Sequence, residues 1–86
     1  MPRKLVLFTG RNCPACGPAK KVAHEAALSA GIQYEEKDAQ DERLCAALYH
    51  VQSVPALVLI SSDGLPRVTT RAQSVESITE WIINGG

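Results

Sequence analysis

The chain has 86 residues, 45% of them hydrophobic and 21% charged, which fits one small domain and is too apolar for a disordered segment. Nine Lys and Arg side chains balance nine Asp and Glu, for a formal net charge of zero; the basic excess that a nucleic-acid binder uses against phosphates is missing. No apolar run approaches the ~20 residues that span a bilayer. The short stretch Leu5–Phe8 behind Met1-Pro2-Arg3-Lys4 falls short of a secretory leader. The expectation is a cytoplasmic, monomeric protein with no membrane or nucleic-acid partner, one domain over 1–86.

Lys4–Thr9 is rich in Leu, Val and Phe, is followed by Gly10, and reads as a buried strand. Pro14–Ala30, Ala-rich with Lys and Glu interspersed and stopped by Gly31, reads as a helix. Ile32–Lys37 alternates as a second strand. Asp41–His50 predicts a helix with acidic residues in its first turn and Leu44, Ala47, Leu48 and Val51 as its apolar stripe. Val54–Ile60 is a nearly continuous apolar run, expected as a central strand. Asp63-Gly64 is a hairpin turn pair, and Arg67–Arg71 a short fourth strand with outward charges. Ser74 is placed to cap a last helix whose stripe is Val75, Ile78, Trp81 and Ile82.

Strand–helix–strand at the front implies a parallel pair with a right-handed crossover, and strand–hairpin–strand at the back an antiparallel pair. The predicted fold class is α/β: a mixed four-stranded sheet flanked by about three helices. Chemistry in open α/β sheets collects beyond the carboxyl ends of strands. Cys13-Pro14-Ala15-Cys16 falls there, between the first strand and the first helix.

Three cysteines are too few for a disulfide scaffold, and this spacing points to redox chemistry or metal binding. The reactive form is the thiolate, which a helix N-terminus favours. Cys13 is expected at the N-cap, with Pro14 at the first helical position, where its missing N–H costs nothing. Arg11 and Lys20 add positive field. Cys13 is then the nucleophile, and Cys16, one turn in and less exposed, the resolving thiol. Pro18 complicates this start: it either distorts the first turn or delays the regular helix.

The Cys13–Cys16 motif behind the Leu5–Thr9 strand, then Ala19-Lys20, Gly31-Ile32-Gln33-Tyr34 and Ser53-Val54-Pro55, resembles the thioredoxin-like superfamily over nearly the whole chain. Within it the sequence is most similar to glutaredoxins and glutaredoxin-like small thioredoxins. The resemblance implies a thioredoxin fold and a dithiol–disulfide oxidoreductase that needs no cofactor beyond its own cysteine pair and binds no metal. It implies a cis Pro55 packed beside the disulfide, with Val54 lending backbone groups to an extended substrate, so Arg11, Pro14, Ala15, Val54 and Pro55 are the substrate-binding candidates. Implied substrates are protein disulfides, with ribonucleotide reductase as the family precedent, and the electron source is thioredoxin reductase or glutathione.

Departures bear on that choice. Asn12 stands where thioredoxins carry Trp, and Pro14-Ala15 replaces their Gly-Pro. The first strand lacks their buried acid. Thr70-Arg71-Ala72-Gln73-Ser74 replaces the glutaredoxin Gly-Gly and acid that hold the glutathione carboxylate, which favours the reductase. Arg11 offers glutathione a charge one position from the usual Lys. Alternatives are a glutathione-dependent glutaredoxin, a CxxC metal-binding module and a non-catalytic interaction domain.

The remaining candidates have plain explanations. Cys45 is expected to be a half-buried packing residue. Cys45 and His50 lie about 140° apart around a helix, poorly placed to join Cys13 and Cys16 on one zinc ion. Trp81 anchors the last helix, His24, Tyr34 and Tyr49 pack or are solvated, and Lys20-Lys21 form a wet helix face.

Overall fold

The computed structural model describes residues 3–61, 66–69 and 74–85. The elements are β1 (Lys4–Thr9), α1 (Cys16–Ala30), β2 (Gln33–Asp38), α2 (Arg43–Leu48), β3 (Ala56–Ile60), β4 (Pro66–Thr69) and α3 (Val75–Ile83). The sheet order is β2-β1-β3-β4. β1 runs parallel to β2 and antiparallel to β3, and β3 is antiparallel to β4. The α/β sandwich read from the sequence is therefore the observed fold. The Asp63-Gly64 turn and Arg71 lie outside the described residues.

Strand alternation divides the core between the two faces of the sheet. Leu5, Leu7, Leu57 and Leu59 point to one face, where Ala19, Ala23, Ala26 and Ala27 of α1 and Ile78 and Ile82 of α3 cover them. Val6, Phe8, Ala56 and Val58 point to the other, where Ala46 of α2 meets them. β1 is buried on both faces because it is central, which explains an unbroken apolar run instead of an alternating one. The four alanines on α1 let its backbone approach the sheet closely. Among the described residues no polar or charged side chain is buried, and no helix is long and apolar enough to cross a membrane.

The helix ends follow their local chemistry. Gly31 closes α1 in the left-handed region, at φ 72°, a conformation only glycine adopts without steric cost. Ser74 caps α3: its Oγ accepts the Ser77 N–H at 3.1 Å. Ser74→Ala should lower stability by about 1 kcal/mol in urea denaturation, with the slope unchanged.

The sequence expectation for α2 is corrected. The helix is six residues long and no acid sits in its first turn. Its buried side is Ala46, with Cys45 and Tyr49 half-buried beside it, while Leu44 and Leu48 are 83% and 72% exposed. The reason is the opposing surface. Phe8, whose ring meets Tyr49 edge-on at 6.2 Å, stands up from the sheet. A small residue at 46 lets the helix settle beside it, so the leucine stripe is turned outward. On β2, Glu35 bridges Lys4 at 2.6 Å and Lys37 at 3.0 Å, and these two donors hold its carboxyl below the usual carboxylate range. His24 stacks on Tyr34 at 5.0 Å. Burial, helped by Glu36, which accepts its hydroxyl at 2.8 Å, pushes the Tyr34 phenol up. Both rings pack, as expected.

Candidate active site

β1 ends at Thr9, and the chain turns through Gly10, Arg11 and Asn12 to Cys13. Cys13 and Cys16 form a disulfide with a Cα–Cα distance of 5.4 Å, within the span a disulfide bridges. Cys16 is the first residue of α1 and only 4% exposed; Cys13 is half-buried, and Pro14 and Ala15 are exposed. Cys13 is thus the more accessible of the two residues, and Cys16 the shielded one.

The helix start differs from the sequence expectation. Ala15 occupies the N-cap, not Cys13, and Pro14 lies before the helix instead of at its first position. Pro18 is the cause. A helix beginning at Pro14 would require an N–H from Pro18 to the Pro14 carbonyl and would drive the ring into it. Starting at Cys16, the helix carries Pro18 in its first turn, where no such bond is needed. The first regular bond runs from Ala19 N–H to Ala15 O at 3.2 Å, and Cys16 N–H donates to Cys13 O at 3.2 Å.

Asn12 has φ 56°. This left-handed conformation sets the direction in which Cys13 leaves β1, and Asn adopts it more readily than most residues with a side chain. Asn12→Gly should leave stability within ~0.5 kcal/mol, whereas Asn12→Val should cost about 1–2 kcal/mol, both read from chemical denaturation of the oxidised protein.

Gly10 joins the cysteine loop to the second part of the site. β1 pairs β3 antiparallel with Phe8 opposite Ala56, so the same register carried two residues further sets Gly10 opposite Val54. A Cβ on Gly10 would lie 2.8 Å from Val54 Cγ2, so only glycine fits unless Val54 moves. The Val54–Pro55 peptide is cis, as the resemblance implies. Among the described residues no group of Ser53, Val54 or Pro55 makes a hydrogen bond, so this segment has donors and acceptors for an extended chain laid beside it. Cys13, Cys16, Pro14, Ala15, Val54 and Pro55 are thereby gathered at one end of β1 and β3.

Arg11 and Lys20 contribute less positive field than the sequence implies. Arg11 Nη2 pairs with Asp41 Oδ1 at 3.3 Å, both groups exposed, and Lys20 Nζ lies 3.9 Å from Glu36 Oε1. Cys45 is a free, half-buried thiol packed in the second core cluster. His50 is exposed. Among the described residues no three Cys, His, Asp or Glu side chains converge to hold a metal ion. Sequence reading missed Gly10 and the backbone turn at Asn12. Their signals were a glycine directly after the first strand and an Asn directly before the first cysteine.

A thioredoxin-fold domain with a CxxC disulfide at the start of its first helix and a cis-proline just before β3 is the class that fold and site define. A family model, Thioredoxin_3, described as a thioredoxin domain, matches residues 3–83, and the chain belongs to this family. Among solved structures, a mutant thioredoxin from Halobacterium salinarum is similar with a TM-score of 0.85 at 23% identity, covering 96% of this chain and 74% of that one. Fasciola hepatica thioredoxin gives 0.81 at 21%, covering 99% and 82%. Thioredoxin 1 from Thermosipho africanus gives 0.78 at 18%, covering 94% and 91%. No match was found among curated protein sequences.

Proposed function

We propose that this protein is a thiol–disulfide oxidoreductase that reduces disulfides of other proteins, working in a reducing, cytoplasmic setting. The observation that carries the reading is the asymmetry of the Cys13–Cys16 disulfide: Cys13 is half-buried and its partner Cys16 only 4% exposed. In the dithiol form the Cys13 thiolate attacks one sulfur of a substrate disulfide. A mixed disulfide forms and the first substrate thiolate leaves. The Cys16 thiol loses its proton and attacks the Cys13 sulfur, closing the internal disulfide and expelling the second thiolate. The substrate gains two electrons and two protons, and the enzyme dithiol loses them. Because Cys16 is shielded, it attacks Cys13 within the molecule in preference to an outside disulfide.

The electron source in this reading is a thioredoxin reductase, since the Gly-Gly and acid that would hold the glutathione carboxylate are missing from the sequence around Thr70–Ser74. The test is NADPH consumption on a protein disulfide, with thioredoxin reductase in one arm and glutathione with glutathione reductase in the other. Turnover in the first arm that vanishes in Cys13→Ser supports the proposal. Turnover in the second arm alone overturns the choice of reductant in favour of a glutaredoxin. No Cys13-dependent turnover in either arm overturns the oxidoreductase reading and favours a metal-binding or interaction module.

A further inference from the structure

A groove of about 340 Å³ runs between α2 and the segment leading into the cis-proline, lined by Ala39, Arg43, Ala46, Ala47, Val51 and Val54, with Gln52 and Ser53 at its edge. Val54, at one end of the groove, has its side chain against Gly10, the residue that leads from β1 into the cysteine loop. Its walls are mostly apolar and small. The neighbouring carboxylates have basic partners: Asp41 pairs with Arg11, Glu35 with Lys4 and Lys37, and Glu42 with Lys37 at 4.0 Å. Asp38 is occupied capping the turn at Gln40 and Asp41. Arg43 differs. It is exposed, it lines the groove, and among the described residues it has no ionic or hydrogen-bonding partner.

We propose that Arg43 is a specificity-determining residue: the groove receives an extended segment of the substrate protein, and Arg43 selects segments that carry an acidic side chain near the disulfide cysteine. This rests on the oxidoreductase reading and names its substrate class. An extended chain suits the site because the Ser53–Pro55 backbone, without a hydrogen-bonding partner among the described residues, can pair with a second backbone. The apolar floor takes alternate side chains, and a guanidinium at the rim adds charge selection. Such a rim cation discriminates chiefly through encounter and register, so its effect is modest and falls with salt. The reaction is the one already balanced: two electrons pass from Cys13 and Cys16 to the substrate disulfide.

The test uses the full chain, pre-reduced and freed of reductant, in single-turnover reactions with short peptides. Each peptide carries one cysteine in mixed disulfide with a chromogenic aromatic thiol, and Glu, Gln or Lys at one position from three before to three after that cysteine. The second-order rate constant is read from release of the aromatic thiolate. For at least one position the wild type should prefer Glu over Gln by roughly two- to fivefold at low ionic strength. The preference should shrink at high salt, disappear in Arg43→Gln, and reverse toward Lys-bearing peptides in Arg43→Glu. Equal rates for Glu and Gln at every position overturn the assignment of Arg43 while leaving the oxidoreductase reading intact. A preference that survives in Arg43→Gln also overturns it. So does an Arg43→Gln defect confined to glutathione disulfide as substrate, which would make the groove a glutathione subsite. Failure of wild type to release thiolate from any peptide overturns the underlying reading instead.

Discussion

Cys16→Ser protein, reduced and mixed with a disulfide-bearing substrate protein, is expected to accumulate as a mixed disulfide through Cys13. The first exchange needs only the accessible Cys13 sulfur. The second needs a thiol behind it, and Cys16 at the start of α1, a Cα–Cα distance of 5.4 Å away, supplies it. A serine hydroxyl at that position is a weak nucleophile at neutral pH and cannot expel the substrate thiolate. Intact-mass analysis without reductant should show the adduct as the main product in Cys16→Ser and none in Cys13→Ser. Both variants should carry Cys45→Ala, because Cys45 is a second thiol able to exchange slowly. An adduct that forms equally well in the Cys13→Ser background would show that Cys13 is not the attacking group.

The second large effect belongs to the core. Leu7 is fully buried, pairs across the sheet with Leu57 and packs in the cluster that contains Ala19 and Ala23 of α1. Leu7→Ala should cost about 3 kcal/mol through lost transfer energy and the cavity left behind. That is a large part of the ~5–10 kcal/mol a domain of this size holds. Leu7→Asp is expected to cost more, and its cost should depend on pH. No donor waits at this position, since no polar side chain is buried among the described residues. The carboxyl is therefore pushed up in the folded state. The folded protein then binds the proton more tightly than the unfolded chain, so the variant is most stable below the unfolded carboxylate pKa. It loses stability as pH rises from about 4 toward the raised folded value. Urea midpoints at pH 4 and pH 7 check this: a flat response in Leu7→Asp would mean that the side chain reaches water.

The two halves of the site were legible in the sequence to different degrees. The CxxC pair and its place after a buried strand could be read directly, because continuous Leu-Val-Leu-Phe is what a central strand needs and Gly10 marks its end. The link between the pair and Val54-Pro55 is a long-range contact, and only the β1–β3 register sets Gly10 against Val54. Resemblance, not spacing, supplied the cis bond. The start of α1 was undetermined because two prolines four residues apart compete to define the first turn; the structure satisfies Pro18 by moving the N-cap to Ala15. On α2, periodicity nominated Leu44 and Leu48, while the core took Ala46. A helix of six residues makes too few contacts for its apolar period to set its orientation, and the shape of the sheet beneath decides it. Ser74 and the α3 stripe were fully legible, since the cap and the periodicity agree.

The two outer strands of the sheet carry a further consequence. β2 presents Glu35, Glu36 and Lys37 along an open edge, and β4 begins with Pro66, which has no N–H to offer. An open edge is a template on which another chain can add, and charge or proline on it penalises that addition. The apolar run of β1, which in isolation has the composition of an aggregation-prone segment, lies in the interior of a sheet whose two outer strands recruit poorly. In the proposed function, the domain can therefore offer its cysteine pair to other proteins without inviting their strands to join its own sheet.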